Sequence, residues 1–382
     1  LKYIAMLLRS RNHYGKELED KMSLKTNLCG LTLENPLMPG SGPLTGDAER
    51  MIFTARLGVG ALITKTIAPE GANVPRPCIC GTKNMIMNSE LWSEHGSEEW
   101  VKQFIPETCE AVNTPIIVNI GYTAEDIAYL LPQMEPYVSG YELIPRYIRN
   151  DLEAVGEIVR VARKLTSKPI WVKMNANLAD PVGFATICQK NGAEGVTAIT
   201  SLGPNMVIDV KQRKTLIGNE QGFVWTSGPA IKPLALATVS MIKDALPDIS
   251  IIGCGGVETE TDILEFLLAG ADAVQMLSTA MLKGREIYRK IIDKLPVALE
   301  NNGFSSIEEV KQTQLIKGNV AYEPSFPVID HDLCNQCDIC NKNCPYFALS
   351  WKDKKLQVDK NKCFGCGLCQ SRCKPDAIQG IL

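Results

Sequence analysis

Ile249-Ser250-Ile251-Ile252-Gly253-Cys254-Gly255-Gly256-Val257 begins with a short, almost continuous apolar run, 249–253, and continues into a glycine pair. A strand buried on both faces reads this way, and the glycines mark where it opens into a tight turn. Seven runs of the same character flank it, at 37–40, 61–65, 115–120, 138–143, 169–174 and 195–200 before it and 272–277 after it. Amphipathic stretches separate them, among them 48–57, 97–112, 151–165, 229–246 and 261–268. Several close on helix-stopping pairs such as Leu57-Gly58, Asn191-Gly192 and Ala269-Gly270. Eight such units in roughly 270 residues predict an α/β fold, a (β/α)8 TIM barrel. A doubly wound sheet, the competing architecture, would show fewer strands and a dinucleotide fingerprint after the first.

Barrels of this kind place their chemistry at the C-terminal ends of the strands, with phosphate on the loops after strands seven and eight. Gly255 and Gly256 allow backbone N–H groups to approach an anion, and Leu277, Ser278 and Thr279 follow the eighth run. A Gly-Gly pair alone is equally a plain turn; joined to the Ser-Thr it reads as a phosphate site. One phosphate site without a Rossmann unit points to FMN rather than FAD or NAD. Two lysines end strands, Lys65 in Thr64-Lys65-Thr66 and Lys173 in Trp171-Val172-Lys173-Met174. Burying a lysine is costly without a partner. At the barrel mouth each would stabilise the anionic edge of a reduced flavin, or else close the mouth as a salt bridge.

The last fifty residues carry a different chemistry. Cys334-x-x-Cys337-x-x-Cys340-x-x-x-Cys344-Pro345 is followed by Cys363-x-x-Cys366-x-x-Cys369-x-x-x-Cys373-Lys374-Pro375. This is the [4Fe–4S] run written twice, in which the fourth cysteine of each run serves the other cluster. It assigns Cys334, Cys337, Cys340 and Cys373 to one cluster and Cys363, Cys366, Cys369 and Cys344 to the other. Zinc knuckles or disulfides are the alternative, but zinc sites more often mix in histidine, and nearby His331 lies outside both runs. The segment therefore reads as a small α+β domain like the two-cluster bacterial ferredoxins, built from two copies of one unit, 328–346 and 358–375.

The rest of the composition is that of an ordinary globular protein. Of 382 residues, 45% are hydrophobic and 22% charged, with a net charge of −3, which gives no electrostatic reason to expect nucleic acid or an anionic membrane as partner. No apolar run approaches the length of a bilayer span. Six of the 14 cysteines lie outside the cluster runs without metal-ligand spacing and read as free thiols in a reducing, cytoplasmic setting. The expected organisation is an N-terminal extension over 1–22, an FMN-binding barrel over 23–302, a linker over 303–327 interrupted by Pro324 and Pro327, and the cluster domain over 328–382.

The barrel also resembles the dihydroorotate/dihydropyrimidine dehydrogenase family, most closely the FMN-plus-ferredoxin part of dihydropyrimidine dehydrogenase. The resemblance is carried by Asn35-Pro36-Leu37 with Gly40-Ser41-Gly42, Thr64-Lys65-Thr66, Asn88-Ser89-Glu90-Leu91, Val172-Lys173, the run 227–236 beginning Ser227-Gly228-Pro229, Gly255-Gly256-Val257 and Gln275. It implies that Gly40 and Ser41 border the flavin ring and that Lys65 and Lys173 bond its ring and ribityl. Gly228, Gly255, Gly256, Leu277 and Ser278 would hold the phosphate, with Thr66, Asn119 and Ser227 completing the cofactor set. Asn88 would face the substrate.

The departures from the family pattern are specific. Where the family carries an Asn-x-Ser-Cys-Pro-like loop with a proton-transferring cysteine, this chain reads Glu142-Leu143-Ile144-Pro145-Arg146-Tyr147-Ile148-Arg149-Asn150, and a second substrate asparagine is replaced at Thr200-Ser201. A pyrimidine-reading site discriminates against other substrates through such groups, so the changes point away from dihydropyrimidine or dihydroorotate. Tyr147 becomes the candidate general acid and Arg146, with Arg149, a candidate carboxylate clamp; Tyr122 and His95 are further candidates. The expectation is an FMN and iron–sulfur oxidoreductase that reduces or forms an activated C=C bond, with a carboxylate as the candidate anchoring group. Its electron partner would be a ferredoxin, a flavodoxin or an NAD(P)H-oxidising flavoprotein subunit, in a homodimer or hetero-oligomer. A dihydropyrimidine dehydrogenase subunit and a pure electron-transfer subunit are the alternatives.

Overall fold

The computed structural model describes residues 22–145, 151–318 and 322–382. They divide into two compact units, one ending at Leu315 and one beginning at Ile316.

In the first unit eight parallel strands form one sheet: β1 Leu37–Pro39, β2 Leu62–Ile63, β3 Ile116–Tyr122, β4 Gly140–Pro145, β5 Ile170–Met174, β6 Gly195–Ala198, β7 Ser250–Cys254 and β8 Ala273–Met276. Each falls on a predicted run. The order is sequential from β2 round to β8, and β8 pairs with β1, so the sheet curls into a nearly closed TIM barrel. The remaining seam is bridged where Gly60 N–H donates to Leu37 O at 2.8 Å. Only glycine permits that approach, because a Cβ at position 60 would sit 2.0 Å from Asn35 O.

The outer helices follow ordinary rules. Helix Leu152–Leu165 starts where Asp151 caps Ala154 N–H, ends in Arg163 and Lys164, and buries Val155, Ile158, Val159 and Ala162 at helical spacing. The stretch predicted as one helix over 97–112 is interrupted. Pro106 has no N–H to return to the preceding turn, and residues Trp100–Phe104 widen so that Ile105 N–H reaches Trp100 O.

Two loops at the C-terminal end of the barrel, after β2 and after β6, pair with each other. Strands Ile79–Gly81, Ile86–Asn88, Val224–Ser227 and Leu202–Asn205 form an antiparallel sheet there. At the opposite end the hairpin Thr26–Leu28/Leu31–Leu33 packs Leu28 and Leu33 against Met38, Ile63, Ile117, Trp171, Ile252 and Ala273, sealing the floor.

The stretch read as linker from residue 303 begins differently. Helix Ile307–Gln312 buries Ile307 and Val310 in the barrel unit's core. Glu308 accepts from Thr26 Oγ1 at 2.7 Å and Lys311 lies 3.5 Å from Asp272. The apolar pair three residues apart, not charge, decides where this segment packs.

In the second unit Val328–Ile329 pairs with Ile378–Gln379 and Leu349–Lys352 with Lys355–Val358, both antiparallel, with short helices Ile339–Asn343 and Leu368–Ser371. The two cysteine loops share one backbone course. Gln336 and Asp338 adopt positive φ of 56° and 63° where Gly365 and Gly367 adopt 72° and 81°.

Candidate active site and cysteine loops

The barrel interior is layered by the two-residue period of its strands. The floor layer is apolar where Met38, Ile63, Ile117, Trp171, Ile252 and Ala273 point inward. Two residues on, towards the mouth, stand Gly40, Lys65, Asn119, Glu142, Lys173, Thr197, Cys254 and Gln275, one from each strand or its immediate extension. Asn119, Glu142, Lys173, Thr197 and Gln275 of this layer are buried and meet each other. Fully buried Glu142 is their hub: Oε1 accepts from Asn119 Nδ2 (2.6 Å) and Lys173 Nζ (3.3 Å), and Oε2 accepts from Thr197 Oγ1 (2.7 Å) and Gln275 Nε2 (2.6 Å). Lys173 Nζ also donates to Gln275 Oε1 at 2.5 Å. Burial works against the charge on Lys173, but the Glu142 carboxylate, with Cys254 nearby, holds the ammonium above its ordinary range.

Above this layer opens a cavity of about 820 Å³, large for a single small molecule and suited to a cofactor with a substrate. Gly40, Ser41, Lys65, Thr66, Lys173, Ser227, Gly255, Gly256, Leu277 and Ser278 line it, as does Asn88. Asn119 lies buried beneath it and Gly228 behind the Gly256 turn. Tyr122 lines the cavity. His95 does not: its Nδ1 meets Glu99 at 2.8 Å and its ring packs edge-on to Phe104. Arg146, Tyr147 and Arg149 lie outside the described residues.

Both lysines are ion-paired. Lys65 Nζ binds Glu90 (3.2 Å) and Glu94 (2.9 Å), which arrive on the loop after Ile86–Asn88. The salt-bridge and flavin readings of these lysines are compatible, because an ammonium has three N–H groups and each lysine commits two to the protein.

Sequence reasoning gave no role to Glu142, Thr197 or Cys254, and quoted Gln275 without one. The available signal was register, since Cys254 and Gln275 sit two residues beyond inward Ile252 and Ala273, and Glu142 and Thr197 two beyond Gly140 and Gly195.

The mouth fits a flavin mononucleotide. Asn119 Oδ1 is buried without a partner. Gly255 and Gly256 hold φ of 126° and 82°, and a Cβ at 256 would fall 2.7 Å from Lys232 Cβ, so the turn can be built only with bare backbone. Ser278 Oγ and Ser227 Oγ meet at 2.9 Å beside it.

A family profile described as dihydroorotate dehydrogenase matches residues 23–299. The chain belongs to the dihydroorotate dehydrogenase family. Members of this family are flavin oxidoreductases acting on CH–CH bonds, and this chain is one, with an FMN barrel. A second profile, 4Fe-4S dicluster domain, matches residues 326–374. Among curated relatives, the catalytic subunit of dihydroorotate dehydrogenase B (NAD(+)) from Pyrococcus furiosus is 33% identical over 303 residues, covering 76% of this chain and 98% of its own. The subunits of the same name from Listeria welshimeri (33% over 302 residues, 76% and 97%) and Pelobacter propionicus (34% over 304 residues, 76% and 98%) are similarly placed. About a quarter of this family member therefore has no counterpart in those chains.

That surplus includes a 4Fe–4S domain whose thiols are grouped in space. Cys344, Cys363, Cys366 and Cys369 line one small cavity with Pro345, Tyr346 and Phe364. Burial pushes the Cys340 thiol up, and Cys373 and Cys334 beside it add to the shift. The crossing cysteines receive matching bonds, Ala348 N–H to Cys344 Sγ (3.4 Å) and Ala377 N–H to Cys373 Sγ (3.2 Å). Among the described residues no three His, Cys, Asp or Glu side chains converge tightly enough for a single ion. Thiols spread around a cavity suit a cluster, which holds its ligands farther apart than one ion does. No helix among the described residues is long and apolar enough to cross a membrane.

Proposed function

We propose that this chain reduces, or in reverse forms, an activated C=C bond of a small molecule, with electrons passing singly through two [4Fe–4S] clusters. The observation that carries the reading is Cys344 grouped with Cys363, Cys366 and Cys369 around one cavity and Cys340 beside Cys373 and Cys334, in one chain with an FMN barrel; the sequence spacing adds Cys337 to the second set. Bound FMN supplies hydride transfer and links electron pairs to single electrons.

The protein's own groups do the rest. Gly255, Gly256, Leu277 and Ser278 would hold the phosphate, with Ser227 and Gly228 shaping the turn. Gly40, Ser41 and Thr66 would border the ring. Lys65 and Lys173 would each have one N–H left for the flavin, and Asn119 would offer it the unpartnered Oδ1. Reduction adds two electrons and two protons across the double bond: one hydrogen arrives as hydride, and Tyr147, on the loop that replaces the family cysteine, delivers the other as a proton. Arg146 would orient a carboxylate, and Asn88 lines the cavity. The electrons come from a one-electron carrier of the ferredoxin or flavodoxin class, or from an NAD(P)H-oxidising subunit, since no dinucleotide fingerprint occurs in the chain.

Asn88 and Glu90 on the cavity wall favour a second reading, in which a pyrimidine is the substrate. The relatives' name, dihydroorotate dehydrogenase B, agrees with it. Anaerobic reoxidation of the dithionite-reduced protein separates the two. Oxidation by unsaturated acids or enones but not by uracil, thymine or orotate supports a substrate other than a pyrimidine, and fast oxidation by the pyrimidines selects the second reading. Silence with every acceptor leaves an electron-transfer subunit as the better account.

A further inference from the structure

Above the Glu142 layer the barrel has one more. Two residues further along each strand or its extension stand glycines on β1, β3 and β7 (Gly42, Gly121, Gly256) and aliphatic residues on β2, β4, β6 and β8 (Ile67, Ile144, Ile199, Leu277). On β5 the same position is Asn175, which lines the cavity. Asn175 is thus the one polar side chain of its layer, two residues along the strand from Lys173.

The orientation of its amide is fixed by the chemistry of its partner. Asn175 Oδ1 accepts from the backbone N–H of Asn177 at 2.9 Å, a group that can only donate, so the oxygen is turned back to the loop and Nδ2 is what the side chain can offer. Asn177 is held in turn: its Nδ2 donates to Gly203 O. Gly203 packs so closely on Trp225 that a Cβ there would sit 2.6 Å from the indole Cδ1. Asn88, also on the cavity wall, is turned the other way. Its Nδ2 donates to Trp225 O at 3.3 Å, which leaves Oδ1, an acceptor. Thr200 N–H donates to Met174 O at 2.9 Å and so sets Thr200 and Ser201 beside Asn175. Both line the cavity, and their hydroxyls can give or take a hydrogen bond, whereas Asn175 Nδ2 can only give one.

A hydride added to a C=C bond conjugated with a carbonyl pushes the π pair onto the carbonyl oxygen. That oxygen carries the negative charge until the neighbouring carbon takes a proton. A fixed donor at the oxygen strengthens as the charge develops. We propose that Asn175 Nδ2 is this donor, a catalytic and specificity-determining group for substrates whose C=C bond is conjugated with a carbonyl. The proposal rests on the C=C reading above and deepens it by naming the activating group and the residue that meets it.

The test compares the FMN- and cluster-loaded full chain with Asn175→Asp and Asn175→Ala. The aspartate is isosteric and still accepts from Asn177 N–H, so the turn keeps its bond while the donor becomes an acceptor; alanine loses both. The probes are cyclohex-2-enone, but-2-enoate, uracil and orotate. Affinity is read from perturbation of the oxidised flavin's absorbance, and the saturating rate from anaerobic reoxidation of the reduced protein. With the probe that serves the parent best, Asn175→Asp should lower the saturating rate at least about 100-fold and Asn175→Ala about 10- to 100-fold, with FMN and iron content unchanged. The added negative charge cannot mimic this loss, because it makes the reduced flavin a stronger reductant. An Asn175→Asp variant that matches the parent while Asn175→Ala is impaired assigns the side chain to the turn alone and overturns the donor. Two variants that both match the parent overturn it as well. A probe that binds the parent, loses at least about tenfold in affinity in Asn175→Asp and never reoxidises the flavin leaves the donor standing and sinks the C=C reading. Neither binding nor reoxidation with any probe overturns both.

Discussion

Changing Glu142 to Gln removes one negative charge from the middle of the barrel and almost no volume. At the observed Nζ–Oε1 distance of 3.3 Å, the pair with Lys173 is worth about 5 kcal/mol at an effective dielectric near 20. Losing one member of a buried pair costs about 3–5 kcal/mol by general experience. The glutamine also turns one of the two oxygens into an amide donor, which faces either the donors of Thr197 and Gln275 or those of Asn119 and Lys173. The pH dependence identifies the cause. In the parent the folded-state Lys173 titrates above its unfolded value, so its stabilisation is fully present below the unfolded pKa and is lost only as pH rises through the folded one. In Glu142→Gln the carboxylate that offsets burial is gone, so burial dominates, the folded pKa should fall below the unfolded one, and the penalty should be greatest at low pH and shrink towards pH 10. Urea unfolding of flavin-stripped protein, followed through the buried Trp100 and Trp171, should show a deficit of about 3–5 kcal/mol near pH 6 and a distinctly smaller one near pH 10. The double variant Glu142→Gln/Lys173→Met should recover part of the loss. A deficit below about 1 kcal/mol, the range of an exposed pair, or one that does not change with pH, would refute the hub.

Gly256→Ala, with its Cβ forced to 2.7 Å from Lys232 Cβ at positive φ, should weaken FMN binding at least about tenfold in flavin titration while iron content stays constant. Cys344→Ser should cut iron from about eight to about four atoms per chain, and the remaining electron paramagnetic resonance signal should be that of the Cys334, Cys337, Cys340 and Cys373 set. Asp262→Ala removes the acceptor for Glu258 and Thr259 N–H and one partner of Lys232, at an expected cost of about 1–3 kcal/mol in denaturant melts. Despite burial, its bonds to Lys232 and these amides hold the Asp262 carboxyl below its ordinary value. Its contribution is therefore complete above the unfolded pKa and is lost as pH falls through the folded one, so parent and variant should converge in acid.

The barrel was legible because burial on both faces writes strands as apolar runs, and all eight runs became strands. The antiparallel sheet at the mouth was not. Its strands are three or four residues long, and the pairing of Trp225 with Asn88 joins positions far apart in the chain whose side chains show no alternation. The same distance hid the partners of Lys65: nothing in Thr64-Lys65-Thr66 announces Glu90 and Glu94. Glu142 was visible as the lone charge in an apolar run, but its meaning depends on which face of β4 points inward, and that follows only when the eight strands are set in register. The cysteine spacing was the most informative signal, because ligand chemistry constrains it directly. His95 shows the opposite case, a functional residue type on a mouth loop whose side chain turns to a neighbouring carboxylate.

Helix Ile307–Gln312 clasps the hairpin that seals the barrel floor, so the first and last segments of the barrel unit hold each other in place. A fragment stopped at residue 302 would leave that seal without its clasp. One carried through Leu315 would keep it. The barrel and the cysteine-rich unit are thus exchangeable parts only beyond that point, where a different redox module could be grafted without disturbing the flavin barrel's foundation.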